Sequence, residues 1–181
     1  MRRYSDLFAA RLAALTAMDA ALALAANHWS GVRWVRGLFR VVSRLGDGVF
    51  WYVLMAALVA AGGPLAYAPV AQMIAVGLVG VALYKVLKRH TLRPRPYQVR
   101  TDIRLGADPL DQFSFPSGHT LHAVAFTIVA VAHFPALAPL LVPFAILVAL
   151  SRVVLGLHYP SDVVAGAALG ACIAGASFAL G

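Results

Sequence analysis

The chain has no glutamate, and its seven acidic residues are all aspartate. Charged residues of either sign make up only 12% of its 181 residues, about half the share found in soluble domains. With 61% hydrophobic residues and a mean hydropathy of +0.80, there is too little polar surface to cover a globule in water. A soluble domain and a disordered chain are both excluded. Cys172 stands alone, so there is no disulfide scaffold and no thiolate metal cage. Other metal-ligand spacings are missing too: there is no H-E-x-x-H and no Asp-rich loop. What remains is an integral membrane protein, read as a single domain over residues 1–181.

Two long stretches contain no Asp, Glu, Lys or Arg: Val49 to Tyr84 and Gln112 to Ser151. Gly62-Gly63-Pro64 and Pro69 break the first, and Phe134-Pro135-Ala136 through Pro139 break the second. The pattern predicts helices near 48–63, 67–88, 118–134 and 138–157, and a last one over 163–181. Most approach the roughly 20 residues needed to cross a bilayer. Lipid forces such segments to be helical, because no water satisfies open backbone groups. Leu7 to Ala26 is Ala- and Leu-rich but carries Arg11 and Asp19. It reads as a sixth span, an interfacial helix or a signal peptide. Asp6 and Arg11 fit a signal peptide badly, so a retained helix is expected. The fold class is therefore all-α, a polytopic membrane bundle of about six helices.

Bases are abundant: 15 Lys+Arg give a net charge of +8, and all but Lys85 and Lys88 are arginine. Arginine grips phosphate through a planar fork of donors. In so apolar a chain the expected partners are the lipid bilayer and a phosphorylated membrane lipid, with no nucleic acid. Arg33, Arg36, Arg40 and Arg44 form one stripe of a helix over 32–45, with Trp34, Val35, Leu38, Val41, Val42 and Leu45 mostly opposite. That suits an amphipathic helix in the headgroup plane, or one packed on the protein.

Three polar clusters fall at one membrane face. The first is Lys85, Lys88, Arg89 and His90, followed by Arg93-Pro94-Arg95-Pro96. Basic residues at a helix C-terminus are ordinary. The two prolines, however, hold the backbone extended and fix where Arg95 points. The second is Phe115-Pro116-Ser117-Gly118-His119, a helix start in which Ser117 can cap and Gly118 lets an anion approach free N–H groups. The third is Ser151-Arg152, then His158-Tyr159-Pro160-Ser161-Asp162. If the helix ran to 157, Arg152 would lie about 9 Å below His158, toward the bilayer. Pro160 opens the last helix, and Asp162 can reach back to His158 to fix its tautomer. Each cluster alone has a bland reading as a cap or snorkelling base. Together they supply what phosphoryl transfer needs: cations for the oxygens, a nucleophile and an acid. Spacing leaves open which histidine attacks.

Lys88-x6-Arg95-Pro96, Pro116-Ser117-Gly118-His119 and Ser151-Arg152-x5-His158-x3-Asp162 resemble the three-part signature of the type-2 phosphatidic acid phosphatase superfamily. That superfamily also contains soluble bacterial acid phosphatases and vanadium haloperoxidases. The resemblance implies that His158 is the nucleophile, forming a phosphohistidine, and that Asp162 orients it. It implies that His119 is the general acid. Lys88, Arg95 and Arg152 would hold the phosphate oxygens, with Ser117 and the Gly118 N–H completing the cradle. It further implies that no metal or other cofactor is required. The apolar spans favour the membrane lipid-phosphate phosphatases, and small bacterial relatives make undecaprenyl diphosphate the first expected substrate. Phosphatidylglycerol phosphate, phosphatidic acid and lipid A phosphate follow.

The same pocket could hold vanadate and oxidise halide, although the spans argue against a haloperoxidase. A non-enzymatic lipid-binding or transport protein would lack catalytic residues, and none is missing. Transfer of the phosphoryl group to another lipid stays open. The positive-inside rule draws the basic face, including the 33–44 stripe, toward the cytoplasm. The resemblance places the site on the periplasmic face of a bacterial inner membrane, and that side is expected here. His28 and His90 are expected at the interface, His133 near a helix end, and His122, one turn past His119, either in the core or lining the cavity.

Overall fold

The computed structural model describes residues 2–180. Among the described residues the regular elements are helices: α1 (Arg2–His28), α2 (Arg33–Arg44), α3 (Phe50–Gly62), α4 (Tyr67–Thr91), the one-turn α5 (Pro96–Val99), α6 (Gly118–His133), α7 (Ala138–Val154) and α8 (Pro160–Leu180). An isolated antiparallel bridge pairs Pro94 with Phe113.

The bundle is built around α6. Its Leu121, Ala123, Ala125, Val129 and Ala130 are wholly buried against α4, α7 and α8. At 16 residues it is only about 24 Å long, shorter than a bilayer core, which suits a helix surrounded by others. The closest packing is with α8. A Cβ on Gly166 would stand 2.4 Å from the Ser117 carbonyl oxygen, and one on Gly170 would stand 2.4 Å from that of Leu121. Glycine lets the two backbones touch, so the Gly166-x3-Gly170 pattern serves an internal contact.

The apolar core joins Trp51 and Met55 of α3, Met73 and Val76 of α4, Phe126 and Val129 of α6, and Leu141 and Val148 of α7. Outside it, Tyr52, Leu65, Leu78 and Val164 are well exposed. Apolar side chains facing outward around the bundle mark a lipid-solvated surface. Residues 33–91, 135–154 and 160–179 contain stretches long and apolar enough to cross a membrane.

Helix α2 packs on the protein, one of the two roles allowed by its pattern. Val35, Val42 and Ser43 are buried against α7, and Arg40 Nε donates to the Gly106 carbonyl. Trp34, Leu38, Val41 and Leu45 form an exposed apolar stripe beside the arginines. A kink at Asp47 and Gly48, where Gly48 has φ +122°, turns α2 into α3.

Two boundaries differ from expectation in ways that matter. Helix α7 ends at Val154 rather than 157. Gly156 takes φ +74°, and the Leu157 and His158 N–H groups both donate to the Arg152 carbonyl, at 3.0 and 3.1 Å. The chain therefore folds back, and His158 sits beside Arg152 instead of 9 Å beyond it. Helix α1 runs unbroken across the ambiguous 7–26 stretch. Its Asp19 is buried and receives hydrogen bonds from Arg93 and Ser161, so this charge is paired inside the protein.

Candidate active site

The three clusters meet where α4, α6 and the α7–α8 turn converge. Lys88 lies in the last turn of α4 and is buried. Arg95 caps α5 with an extended backbone at φ −77°, ψ 154°, as the flanking prolines require. Ser114 N–H donates to the Arg93 carbonyl at 2.8 Å, which clips the extended 93–95 segment to the 113–114 segment. The guanidinium of Arg95 is 1% exposed and donates through Nη1 to the Leu157 carbonyl at 2.7 Å and to His158 Nε2 at 3.2 Å. A guanidinium cannot accept. His158 Nε2 therefore carries the lone pair, and the proton sits on Nδ1.

His158 Nδ1 lies 3.6 Å from Asp162 Oδ2, an ion-pair distance rather than a made hydrogen bond. Asp162 Oδ2 instead accepts from the Tyr159 N–H at 2.8 Å, and Oδ1 accepts from Arg93 Nη1 at 2.7 Å. As third residue of α8, Asp162 forms half a capping box and faces His158 from a fixed position. Burial, followed by the charges of Arg152, Arg95 and Lys88, holds the His158 imidazole well below the ordinary histidine range.

His119, in the first turn of α6, has Nε2 3.4 Å from Asp47 Oδ1. Arg152 is 3% exposed, and its Nη1 donates to Ser43 of α2. Its Nε is buried with no hydrogen-bond partner.

Ser117 departs from the expected cradle. Its hydroxyl is fully buried and hydrogen-bonds with Thr120 Oγ1 at 2.9 Å, while its N–H donates to the Asp162 carbonyl at 3.0 Å. The capping role takes this side chain, and Gly118 lines the cavity in its place. His122 takes the cavity-lining one of its two expected places. It is half-buried on the cavity wall and hydrogen-bonds with the Gly118 carbonyl at 2.9 Å and the Gly77 carbonyl at 3.1 Å.

The cavity is about 780 Å³. Its polar end holds Lys88, Asp111, His119 and His158, and its other walls are Trp51, Met55, Ile74, Val81 and Phe126 of α3, α4 and α6. A second cavity of about 560 Å³ is lined by Arg40, Arg44, Asp108 and Arg152. Asp47, Leu110 and His119 line both.

The PAP2 superfamily pattern matches residues 68–181. The chain belongs to the PAP2 superfamily. A decaprenylphosphoryl-5-phosphoribose phosphatase of Mycolicibacterium smegmatis is 35% identical over 159 residues, covering 85% of this chain and 79% of that one. A Mycobacterium tuberculosis phosphatase of the same name is 41% identical over 93 residues, and the match spans about half the length of each protein. The crystal structure of a transmembrane PAP2-type phosphatidylglycerolphosphate phosphatase from Bacillus subtilis superposes with a TM-score of 0.76 at 26% identity, covering 92% of this chain and 86% of that chain. The chain is thus an all-helical, multi-pass membrane protein of the PAP2 type.

Sequence reasoning missed Asp47, Asp111 and Asp19 as parts of this constellation, and it placed Arg93 in the first cluster without giving it a role. A usable signal was their rarity: seven aspartates among thirteen arginines, in a chain with few other places to hide a charge.

Proposed function

We propose that this protein is a membrane lipid phosphatase that hydrolyses a phosphomonoester or diphosphate through a phosphohistidine. The observation that carries the reading is the two-part cavity. Two histidines and a lysine stand at one end, and a chamber of apolar side chains leads away from them. A phosphorylated lipid has that same division.

His158 Nε2 carries the lone pair, is held neutral, and attacks phosphorus. Lys88, Arg95 and Arg152 bind the oxygens on which charge builds. The P–O bond to the lipid breaks, and His119 delivers a proton to the departing oxygen. Water then attacks the phosphohistidine with His119 as base, giving orthophosphate and free His158. Asp162, fixed by Tyr159 and Arg93, keeps the proton of His158 on Nδ1.

The finer assignment is a polyprenyl-linked phosphate, supported by the relative named for decaprenylphosphoryl-5-phosphoribose that is matched over most of its length. Undecaprenyl diphosphate shares that tail type. The site is assigned to the periplasmic face of a bacterial inner membrane.

The test is orthophosphate release by purified protein from polyprenyl, glycerolipid and lipid A phosphates, with EDTA present. Wild type should turn over at least one polyprenyl substrate. His158→Ala should lower kcat by at least about 10³-fold. A labelled, acid-labile adduct should be trapped on wild type and be missing from His158→Ala. Loss of activity with EDTA, or an adduct that survives in His158→Ala, would overturn the mechanism.

A further inference from the structure

Lys88 and Arg95 are the cations the phosphatase reading assigns to the phosphate, yet both already hold an anion. Asp111 accepts from Lys88 Nζ through both carboxylate oxygens, at 2.8 and 2.7 Å, and from Arg95 Nη2 at 2.8 Å. The third N–H of Lys88 goes to the Phe113 carbonyl at 3.0 Å, and Arg95 Nε goes to the Asp111 carbonyl at 3.0 Å. All three ammonium protons are thus engaged by residues 111–113.

The layering is equally definite. Asp111 is 37% exposed and Arg95 is 1% exposed, and it is Asp111 that lines the cavity. A phosphoryl oxygen arriving from the cavity meets the carboxylate before the guanidinium. Burial opposes ionisation of Asp111, but the Lys88 hydrogen bond and the Lys88 and Arg95 charges outweigh it and hold its pKa below the ordinary carboxylate range. The residue lies in the non-helical connection between α5 and α6, where a side-chain rotation would free Lys88 Nζ and Arg95 Nη2 from its carboxylate while their bonds to backbone carbonyls stay.

We propose that Asp111 determines specificity as an internal competitor: substrate must displace its carboxylate from Lys88 and Arg95, so the site selects dianionic phosphomonoesters over monoanionic phosphodiesters. The proposal rests on the phosphatase reading above and goes beyond it. A phosphomonoester carries a charge of about −1.5 to −2 at neutral pH and presents three strong acceptor oxygens. It offers the two cations more than one carboxylate does. A phosphodiester carries one charge and two free oxygens, so exchange with Asp111 gains it little. The distinction matters because the cavity continues into an apolar chamber and the surrounding bilayer is made of phosphodiester lipids in great excess. A bare pair of cations would be filled by them. A repulsive element against the wrong ligand is a standard source of specificity.

The test uses the full-length protein in mixed micelles, with a lipid phosphomonoester as substrate and phosphatidylglycerol as the phosphodiester probe. Asp111→Asn keeps the shape and an acceptor oxygen but removes the charge. Its KM for the monoester should fall, and the inhibition constant of phosphatidylglycerol should drop about tenfold or more, the worth of one charge-assisted hydrogen bond. Asp111→Glu should keep wild-type discrimination. A raised KM with no new sensitivity to phosphatidylglycerol would show Asp111 to be a tether for Lys88 and Arg95, overturning the proposal, as would no change in either constant. A measurement on wild type needs no variant: the methyl ester of the substrate, a monoanion, should bind at least about tenfold more weakly than the monoester. Equal binding sinks the idea. Wild type that releases no phosphate from any lipid would overturn the phosphatase reading itself, an outcome separable from all of these.

Discussion

Individual side chains at the site are governed by how each buried charge or proton is paired. His158 is held neutral by burial and by the surrounding cations. A histidine in the unfolded chain takes up a proton near pH 6.5. Below that pH the unfolded state binds more protons, so this term lowers stability as pH falls through about 6.5. His158→Gln removes it. Between about pH 7 and pH 5 the melting temperature of the variant in detergent should fall less than that of wild type, and equal slopes would refute the assignment. Arg93 bridges Asp19 at 2.7 Å and the wholly buried Asp162 at 2.7 Å. Its loss strands a buried carboxylate. Arg93→Ala should therefore destabilise by about 2–3 kcal/mol, discounted from the usual cost of a broken buried pair because Arg93 is partly exposed. A melting temperature within a degree or so of wild type would show that water replaces the guanidinium. The residues of the three clusters were legible in the sequence because their types and spacing are set locally. Asp47 and Asp111 were not, because an aspartate in a polar connection gains its partner only when a distant segment arrives.

The elements succeed or fail by where glycine stands. The sequence showed the helices through their charge-free stretches and proline breaks. Spacing alone sets Gly166 and Gly170, four residues apart, on one face of α8. It could not tell which helix that face touches. In the structure α8 lies on α6 at backbone contact, and the Ser117–Asp162 hydrogen bond joins two of the three clusters across that contact. Gly166→Val would force the helices apart. We expect a loss of about 1–3 kcal/mol from overpacking, seen as a lower melting temperature, with kcat falling more than KM rises because the distance between His119 and His158 depends on the same contact. Unchanged kcat would mean that the site tolerates the shift. Gly156 is the counterpart in the α7–α8 turn. Its φ of +74° is already costly for any other residue, and an added Cβ would lie 2.7 Å from the Arg104 carbonyl oxygen. The expected continuation of α7 to residue 157 failed for this reason: a helical reading of charge-free residues does not register a left-handed glycine that reverses the chain.

Across the bundle as a whole, the cavity belongs to no single element. Its apolar chamber is shared by α3, α4 and α6, and its polar end by α4, α6 and the turn before α8. Ile74 lines the chamber about four turns of α4 from Lys88, or roughly 21 Å along the axis. Ile74→Trp should raise KM for a long-chain substrate several-fold while leaving hydrolysis of a short, water-soluble phosphomonoester near wild type. A parallel loss on both would mean that the chamber does not receive the lipid tail. Helix α1 closes the assembly from outside. Asn27 Nδ2 donates to the Arg104 and Val154 carbonyls, each at 2.9 Å, and its Oδ1 accepts from the Arg104 N–H at 2.8 Å.

The amino-acid sequence alone determined that this chain enters a membrane as helices and that it carries a phosphate-handling signature. Hydropathy and local spacing act over neighbouring residues and need no knowledge of the fold. Only the tertiary structure decided that the Ser117 cap keeps its hydroxyl out of the cavity, that His158 folds back onto Arg152, and that a carboxylate covers the two cations expected to hold phosphate. Each of those outcomes is a competition for hydrogen bonds between segments far apart in the chain, and such a competition is settled only once the helices have packed.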